Sequence, residues 1–194
     1  MASGKDVVAS SITGSGKTAA FLLPLIQRYC NVAPVGYIRS LIITPTRELA
    51  IQIYEEFEKL NKYAKVEAVL AIGASSIQKQ EAALRNNPDL VICTPGRVVD
   101  LLLNSRSIGI EDLEMLILDE ADKLLELGFE NEIKEILRYC NPEVQTVLFS
   151  ATLGGDVDKL ALVATRKPIR LSADPDNVNE PSHRKLQSDC ISRW

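Results

Sequence analysis

Asp6-Val7-Val8-Ala9-Ser10-Ser11-Ile12-Thr13-Gly14-Ser15-Gly16-Lys17-Thr18 places a short apolar run, a glycine loop and a lysine–threonine pair in immediate succession. The run at 7–9 reads as a buried strand, and the apolar residues at 19–26 read as a helix opened by Lys17-Thr18. Strand, glycine loop and helix in that order are what a phosphate-binding loop requires. Gly14 and Gly16 free the backbone to turn its N–H groups toward one anion, and the helix adds its positive end. In such a loop Lys17 reaches the β- and γ-phosphates, and the Thr18 hydroxyl holds Mg²⁺. The general pattern G-x-x-x-x-G-K-[ST] has glycine where this chain has Ser11, a small residue that still permits close approach. A Gly/Ser turn joining strand to helix is the simpler alternative. A carboxylate pair at the end of a later strand argues against it.

The chain has 194 residues, enough for one domain with a full core. Its 46% hydrophobic and 25% charged residues are ordinary for a soluble globular protein. No apolar run approaches the length of a membrane span, and the first residues lack the apolar segment of a signal peptide. Cys30, Cys93, Cys140 and Cys190 are scattered, three of them in or beside apolar stretches, so buried thiols are expected rather than disulfides or zinc ligands. His183 is the one histidine and sits in a polar tail, which disfavours histidine-based metal sites and triads. These points favour a reducing, intracellular compartment. The net charge of −4 gives no bulk attraction for nucleic acid, so any such site must be local.

Strands are expected at 7–9, 41–43, 66–72, 90–92, Met115–Leu118, 146–149 and 169–171. Helices are expected at 46–61, 75–86, 97–103, 121–127, 132–138 and 157–164, besides the one after Lys17, which Pro24 should bend. Gly128 ends the helix before it. Most strands are continuous apolar runs, so the fold class is α/β, a mainly parallel sheet of about seven strands covered on both faces. Ligands in such sheets bind at the carboxyl ends of the strands. Residues 1–172 form the domain, and 173–194, polar and carrying Pro175 and Pro181, form a linker or tail.

The strand ends carry the chemistry. Met115–Leu118 runs into Asp119-Glu120-Ala121-Asp122. A carboxylate leaving a buried strand needs a cation or strong donors. In a phosphate-loop protein the cation is Mg²⁺ held by Asp119, and Glu120 is placed to orient attacking water. Leu41-Ile42-Ile43 is followed by Thr44-Pro45-Thr46-Arg47, and Leu90-Val91-Ile92-Cys93 by Thr94-Pro95-Gly96-Arg97. In both, threonine can cap a helix and proline can take its first position. An arginine in each first turn opposes the helix dipole, and a bound anion at each end would remove that conflict. Two such ends on one rim suit successive phosphates of a nucleic-acid strand. Gly73 could permit close backbone approach on the same rim, or be an ordinary turn glycine. Ser150 and Thr152, after 147–149, could bond the acidic loop or simply cap a helix.

The loop at 11–18, PTRELA at 45–50, TPGR at 94–97, DEAD at 119–122 and SAT at 150–152 occur in that order, each at a strand end. Together they resemble the first RecA-like lobe of a DEAD-box ATP-dependent RNA helicase, over residues 3–171. The LGF at 127–129 also fits, and the segment 127–137 looks most like the ribosome-biogenesis members. The resemblance implies a RecA-like three-layer domain using ATP and Mg²⁺. It implies that Ser11, Thr13, Gly14, Ser15, Gly16, Lys17 and Thr18 hold the nucleotide, Thr18 and Asp119 the metal, and that Glu120, Asp119 and Lys17 carry catalysis. Pro45, Thr46, Arg47, Gly73, Thr94, Pro95, Gly96 and Arg97 would contact RNA. Asp122, Ser150 and Thr152 would couple the nucleotide state to strand separation. Implied partners are RNA and a second RecA-like lobe, with the chain a monomer, without a membrane, in nucleus, nucleolus or cytoplasm. The chain departs from the family at Ser11, usually alanine, and at Ala74, often a second glycine. The upstream adenine-reading glutamine segment and the second lobe are expected outside this sequence, so the chain alone should be nearly inactive. A non-catalytic nucleotide- or partner-binding module is the alternative. PTRELA with DEAD argues against a DNA-directed helicase.

Overall fold

The computed structural model describes residues 1, 3–11, 16–30, 32–33, 35–73, 76–105, 108–152 and 154–172. Thr13, Gly14 and Ser15 of the glycine loop, Ala74, and the tail 173–194 with His183 and Cys190 lie outside these residues. Strands and helices alternate: β1 (Val7–Ser10), α1 (Lys17–Tyr29), β2 (Ser40–Ile43), α2 (Arg47–Leu60), β3 (Ala68–Ala71), α3 (Ile77–Leu84), β4 (Leu90–Cys93) and α4 (Pro95–Asn104). Then follow β5 (Met115–Leu118), α5 (Ala121–Glu126), α6 (Glu130–Tyr139), β6 (Gln145–Ser150), α7 (Gly155–Ala164) and β7 (Ile169–Ser172). A 3₁₀ turn, Asn61–Tyr63, extends α2.

The strands form one seven-stranded sheet in the order β3-β4-β2-β5-β6-β1-β7, every pairing parallel. Parallel neighbours cannot be joined by a tight hairpin, so each connection must cross over, here through a helix. Alternate strand residues face opposite layers. Val7, Ala9, Ile42, Ile92, Ile117 and Phe149 pack with Phe21, Leu25 and Phe57 of α1 and α2. Val8, Leu41, Val91, Leu116 and Leu148 pack with Leu84, Val98, Leu124, Ile136 and Leu160 of α3 to α7. Both faces are therefore dry, which is why β2, β4 and β5 read as unbroken apolar runs. The result is a RecA-like three-layer α/β domain.

Local chemistry sets the helix ends. After α5, Gly128 adopts φ 83°. Its N–H donates to Leu125 O and that of Phe129 to Leu124 O, a paired closure that uses the orphan carbonyls. At α2 the cap differs from the expectation. Thr46, not Thr44, is the cap, its Oγ1 accepting from Leu49 N at 3.2 Å, and Pro45 lies outside the helix. Adjacent Thr-Pro-Thr offered two registers, and the one that gives the carboxylate of Glu48 a place in the first turn is adopted. At α4 Pro95 does take the first position, but the Thr94 hydroxyl makes no capping bond. The helix at α1 runs through Pro24 to Tyr29. Strand β3 and helix α3 are shorter than the sequence ranges, covering 68–71 and 77–84. Cys93 and Cys140 are buried thiols donating to Ile42 O and Ile136 O, whereas Cys30 is only half-buried. No described helix is long and apolar enough to cross a membrane.

Asp6 ties the amino ends of the sheet. Its carboxylate, 4% exposed, accepts from the Thr146 N–H at 2.9 Å and from the Arg166 N–H, while Ile169 N donates to Asp6 O at 2.8 Å. Removing the acceptor strands a buried Thr146 donor, since Thr146 is 1% exposed. Asp6→Ala should lower unfolding stability by about 2 kcal/mol in urea titration, a typical cost of an orphaned buried donor. An unchanged midpoint would show that water satisfies these groups.

Candidate functional site

Because every strand is parallel, all the carboxyl ends lie on one rim. Along it stand, in spatial order, Gly73 beyond β3, Thr94 beyond β4, Thr44 to Arg47 beyond β2, Asp119 beyond β5, Ala151 beyond β6 and Ser11 beyond β1. The register keeps them level: Ile43 faces Cys93 and Leu118, Leu118 faces Leu148, and Ser10 faces Ser150. Chain order interleaves the motifs, but the sheet sorts them. The two arginine-bearing ends and Gly73 occupy one half, and the glycine loop, the acidic turn and Ser150–Thr152 the other.

In the second half, Ser11 N donates to Ser150 O at 3.1 Å. Gly16 caps α1 with φ 87°, a conformation that side chains rarely adopt. The Lys17 ammonium folds back and donates to Ser11 O at 2.8 Å. A cleft of about 320 Å³ opens here, lined by Gly16, Lys17, Thr18, Leu49, Gln52, Ile53, Glu56, Asp119 and Glu120. Asp119 is 6% exposed, and its Oδ1 accepts from Glu120 N at 3.1 Å. Burial, with the neighbouring Glu120 charge, pushes the Asp119 carboxyl up from 3.8 to about 6, against the smaller pull of Lys17, the Glu120 N–H and Lys123.

Glu120 adopts φ 50°, ψ 53°, the left-handed region that a glutamate enters only when its surroundings enforce it. That turn carries the chain from β5 directly into α5. Its Oε2 accepts from Lys123 Nζ at 2.9 Å, so the carboxylate, in an 8% exposed residue, is held by one half-exposed cation. Asp122 points elsewhere. Its Oδ2 accepts from Ala151 N at 3.1 Å, Thr152 N at 3.2 Å and Thr152 Oγ1 at 3.4 Å, stitching the end of β5 to the end of β6. The Thr152 hydroxyl thus bonds the acidic turn. The Ser150 hydroxyl does not: it accepts from Thr152 N at 3.4 Å, shaping the turn instead.

The first half holds a groove of about 620 Å³. Of the residues singled out there, Pro45, Thr46, Arg47, Gly73, Thr94, Gly96 and Arg97 line it. Pro95 does not, being buried at the start of α4. Gly73 earns its place by space rather than by conformation. A Cβ there would lie 2.8 Å from Arg47 Nη2, so only glycine leaves the guanidinium where it is. Among the described residues, Thr44 Oγ1 and Arg97 Nε are buried without a partner beside this groove. Glu48, Asp100 and Phe129 line it as well. Asp100 and Phe129 had only an indirect sign in the sequence: Asp100 falls one helical turn after Arg97, and Phe129 follows the turn at Gly128. Helix α2 spans both halves. Its first turn borders the groove, and Leu49, Gln52, Ile53 and Glu56 form a wall of the cleft.

The three-layer parallel sheet, with a glycine loop and an acidic turn at neighbouring strand ends, defines the class as RecA-like. The DEAD/DEAH box helicase pattern matches residues 1–160, and the chain belongs to that family. It is similar to DEAD-box ATP-dependent RNA helicase 28 of Oryza sativa subsp. japonica, 51% identical over 173 residues, covering 89% of this chain and 22% of the relative. It is also similar to the probable ATP-dependent RNA helicase ddx27 of Dictyostelium discoideum, 49% identical across 88% of this chain and 22% of the relative. The ATP-dependent RNA helicase DRS1 of Eremothecium gossypii is 44% identical across 89% of this chain and 24% of the relative. The chain thus spans under a quarter of the length of these relatives, at 22–24%.

The raised Asp119 value makes a pH prediction. A carboxyl whose folded value exceeds its unfolded one favours the folded state when protonated. Its contribution is complete below 3.8 and is lost as pH rises through about 6. The full difference corresponds to about 3 kcal/mol. Asp119→Asn should therefore raise the melting temperature of the ligand-free chain at pH 7 by several degrees, with the gain vanishing near pH 4. A lower melting temperature at pH 7 would show that the carboxylate is a net stabiliser.

Proposed function

We propose that this chain is the ATP- and RNA-binding lobe of an ATP-dependent RNA helicase, with residues 1–172 as the lobe and 173–194 leading toward a second lobe. The observation that carries it is the sorting of one rim into a cleft with Lys17, Thr18, Asp119 and Glu120 and a groove with Arg47 and Arg97, both bordered by α2. The relatives' names, ATP-dependent RNA helicases, support the same assignment.

In this assignment Ser11, Gly16 and the loop residues Thr13, Gly14 and Ser15 surround the nucleotide phosphates. Lys17, released from Ser11 O, pairs with the β- and γ-phosphates. The donor set at the cleft fits Mg²⁺, which takes one or two carboxylates, retains waters and shares the substrate phosphates. Thr18 offers a hydroxyl and Asp119 a buried carboxylate lacking full counter-charge. When bound, Mg²⁺ supplies charge neutralisation on the transferring phosphoryl group. Glu120 orients the attacking water, its carboxylate already fixed by Lys123 and by the strained backbone. Asp122 transmits changes at the acidic turn to the turn after β6 through its bonds to Ala151 and Thr152. Thr46, Arg47, Gly73, Thr94, Gly96 and Arg97 hold the RNA backbone, with Pro45 and Pro95 shaping the two helix entries. No arginine lines the described part of the cleft. Phosphoryl transfer commonly gains about a thousandfold or more from such an arginine. Turnover and strand separation are therefore assigned to the lobe together with a second one.

The nucleotide half is tested by calorimetry with Mg²⁺ and ADP. Lys17→Ala should abolish binding while leaving the melting temperature near that of the parent, and equal affinity in both proteins would remove the assignment. The RNA half is tested by salt dependence. Arg47→Ala and Arg97→Ala should each weaken binding of unrelated RNA sequences alike and reduce the salt slope by about one. Unchanged slopes in both would return these motifs to the role of helix starts.

A further inference from the structure

Helix α2 contributes one further carboxylate, Glu56, to the cleft, which neither the loop nor the acidic turn accounts for. Leu49, Gln52, Ile53 and Glu56 fall at i, i+3, i+4 and i+7, one stripe of the helix, and this stripe faces Lys17, Thr18, Asp119 and Glu120. Glu56 is half-buried there and forms no ion pair with any described residue. Its helix neighbours Glu55 and Glu58 are exposed and line no part of the cleft. Among the described residues, the lining thus sets the carboxylates of Glu56, Asp119 and Glu120 against one ammonium, that of Lys17, with Glu120 also paired to Lys123 outside the lining.

The spacing defines what Glu56 can do. No group of three His, Cys, Asp or Glu side chains among the described residues is close enough to hold a metal directly. Glu56, from α2, and Asp119, from the end of β5, line the same cleft of about 320 Å³. Mg²⁺ dehydrates reluctantly and keeps several waters, each of which needs an acceptor. A carboxylate one water away from the ion is the acceptor such a shell favours, and outer-shell partners of this kind tune metal affinity.

We propose that Glu56 is a positioning residue that accepts hydrogen bonds from waters bound to the nucleotide's Mg²⁺. It acts from outside the metal's direct ligands and is carried by the same helix whose first turn borders the RNA groove. The proposal rests on the nucleotide assignment above.

The test measures ADP binding to the 194-residue chain by calorimetry across a MgCl₂ series, and again in EDTA, for the parent and for Glu56→Gln. Glutamine keeps the shape and removes the charge. The Mg²⁺ concentration giving half-maximal enhancement of ADP affinity should rise about tenfold in Glu56→Gln, as for loss of an outer-shell partner. Affinity in EDTA and the melting temperature should stay at the parent values. Glu56→Asp, which retains the charge, should recover most of the parent's Mg²⁺ dependence. Equal Mg²⁺ dependence in the parent and Glu56→Gln would overturn the role of Glu56 while leaving the nucleotide assignment intact. Equal weakening in EDTA and in MgCl₂ would also overturn it, showing a wall rather than a metal-water contact. A parent that binds no ADP at any MgCl₂ concentration would remove the nucleotide assignment and this inference together.

Discussion

Parallel pairing is the constraint from which the molecule follows. Seven strands running one way cannot be closed by hairpins, so each return must travel over a face of the sheet. Those returns cover both faces and make the strands uniformly apolar. The carboxyl ends are left on one rim, where the backbone must turn and where polar residues can leave the core. A strand order of β3-β4-β2-β5-β6-β1-β7 then does what chain order does not, gathering the arginine ends on one side and the glycine loop and acidic turn on the other.

Charge is stored unevenly along that rim. On the acidic side Asp119 is buried with incomplete compensation, and Glu120, in a left-handed backbone conformation, has its carboxylate paired with a single lysine. Both features cost stability in the ligand-free domain, and the under-compensated charge of Asp119 favours a cation in the cleft. On the basic side Arg47 is given room by Gly73, and the Arg97 Nε lacks a partner among the described residues. Helix α2 borders both sides. The Asp122 bonds to Ala151 and Thr152 add a second mechanical link, from the acidic turn to the end of β6.

Much of this was legible in the sequence. Apolar runs, most of them continuous, located all seven strands, and the residues at their ends named the motifs. What the sequence left open has physical reasons. Strand order depends on which crossovers pack best, and no local pattern encodes it. Thr44-Pro45-Thr46 holds two capping threonines, and the register capped by Thr46, with Glu48 in the first turn, is the one adopted. Gly73 read as a turn glycine or as an approach point for a ligand, whereas its neighbour is a guanidinium from a distant helix. The left-handed turn at Glu120 could not be read from a residue type that rarely adopts it. Gln52 and Glu56 were not singled out in the sequence, because their place in the cleft depends on which strand ends α2 passes.

The central claim is that one rim holds two physically separate sites joined by α2. Amide chemical-shift mapping of the labelled chain tests it most directly. Added Mg²⁺ and ADP should shift the amides of Gly16, Lys17, Thr18, Glu56, Asp119 and Glu120, and added single-stranded RNA those of Thr46, Arg47, Gly73, Gly96 and Arg97, with α2 the one element answering to both. If the two ligands shift the same residues and compete for them, the rim holds one site, and the account is wrong.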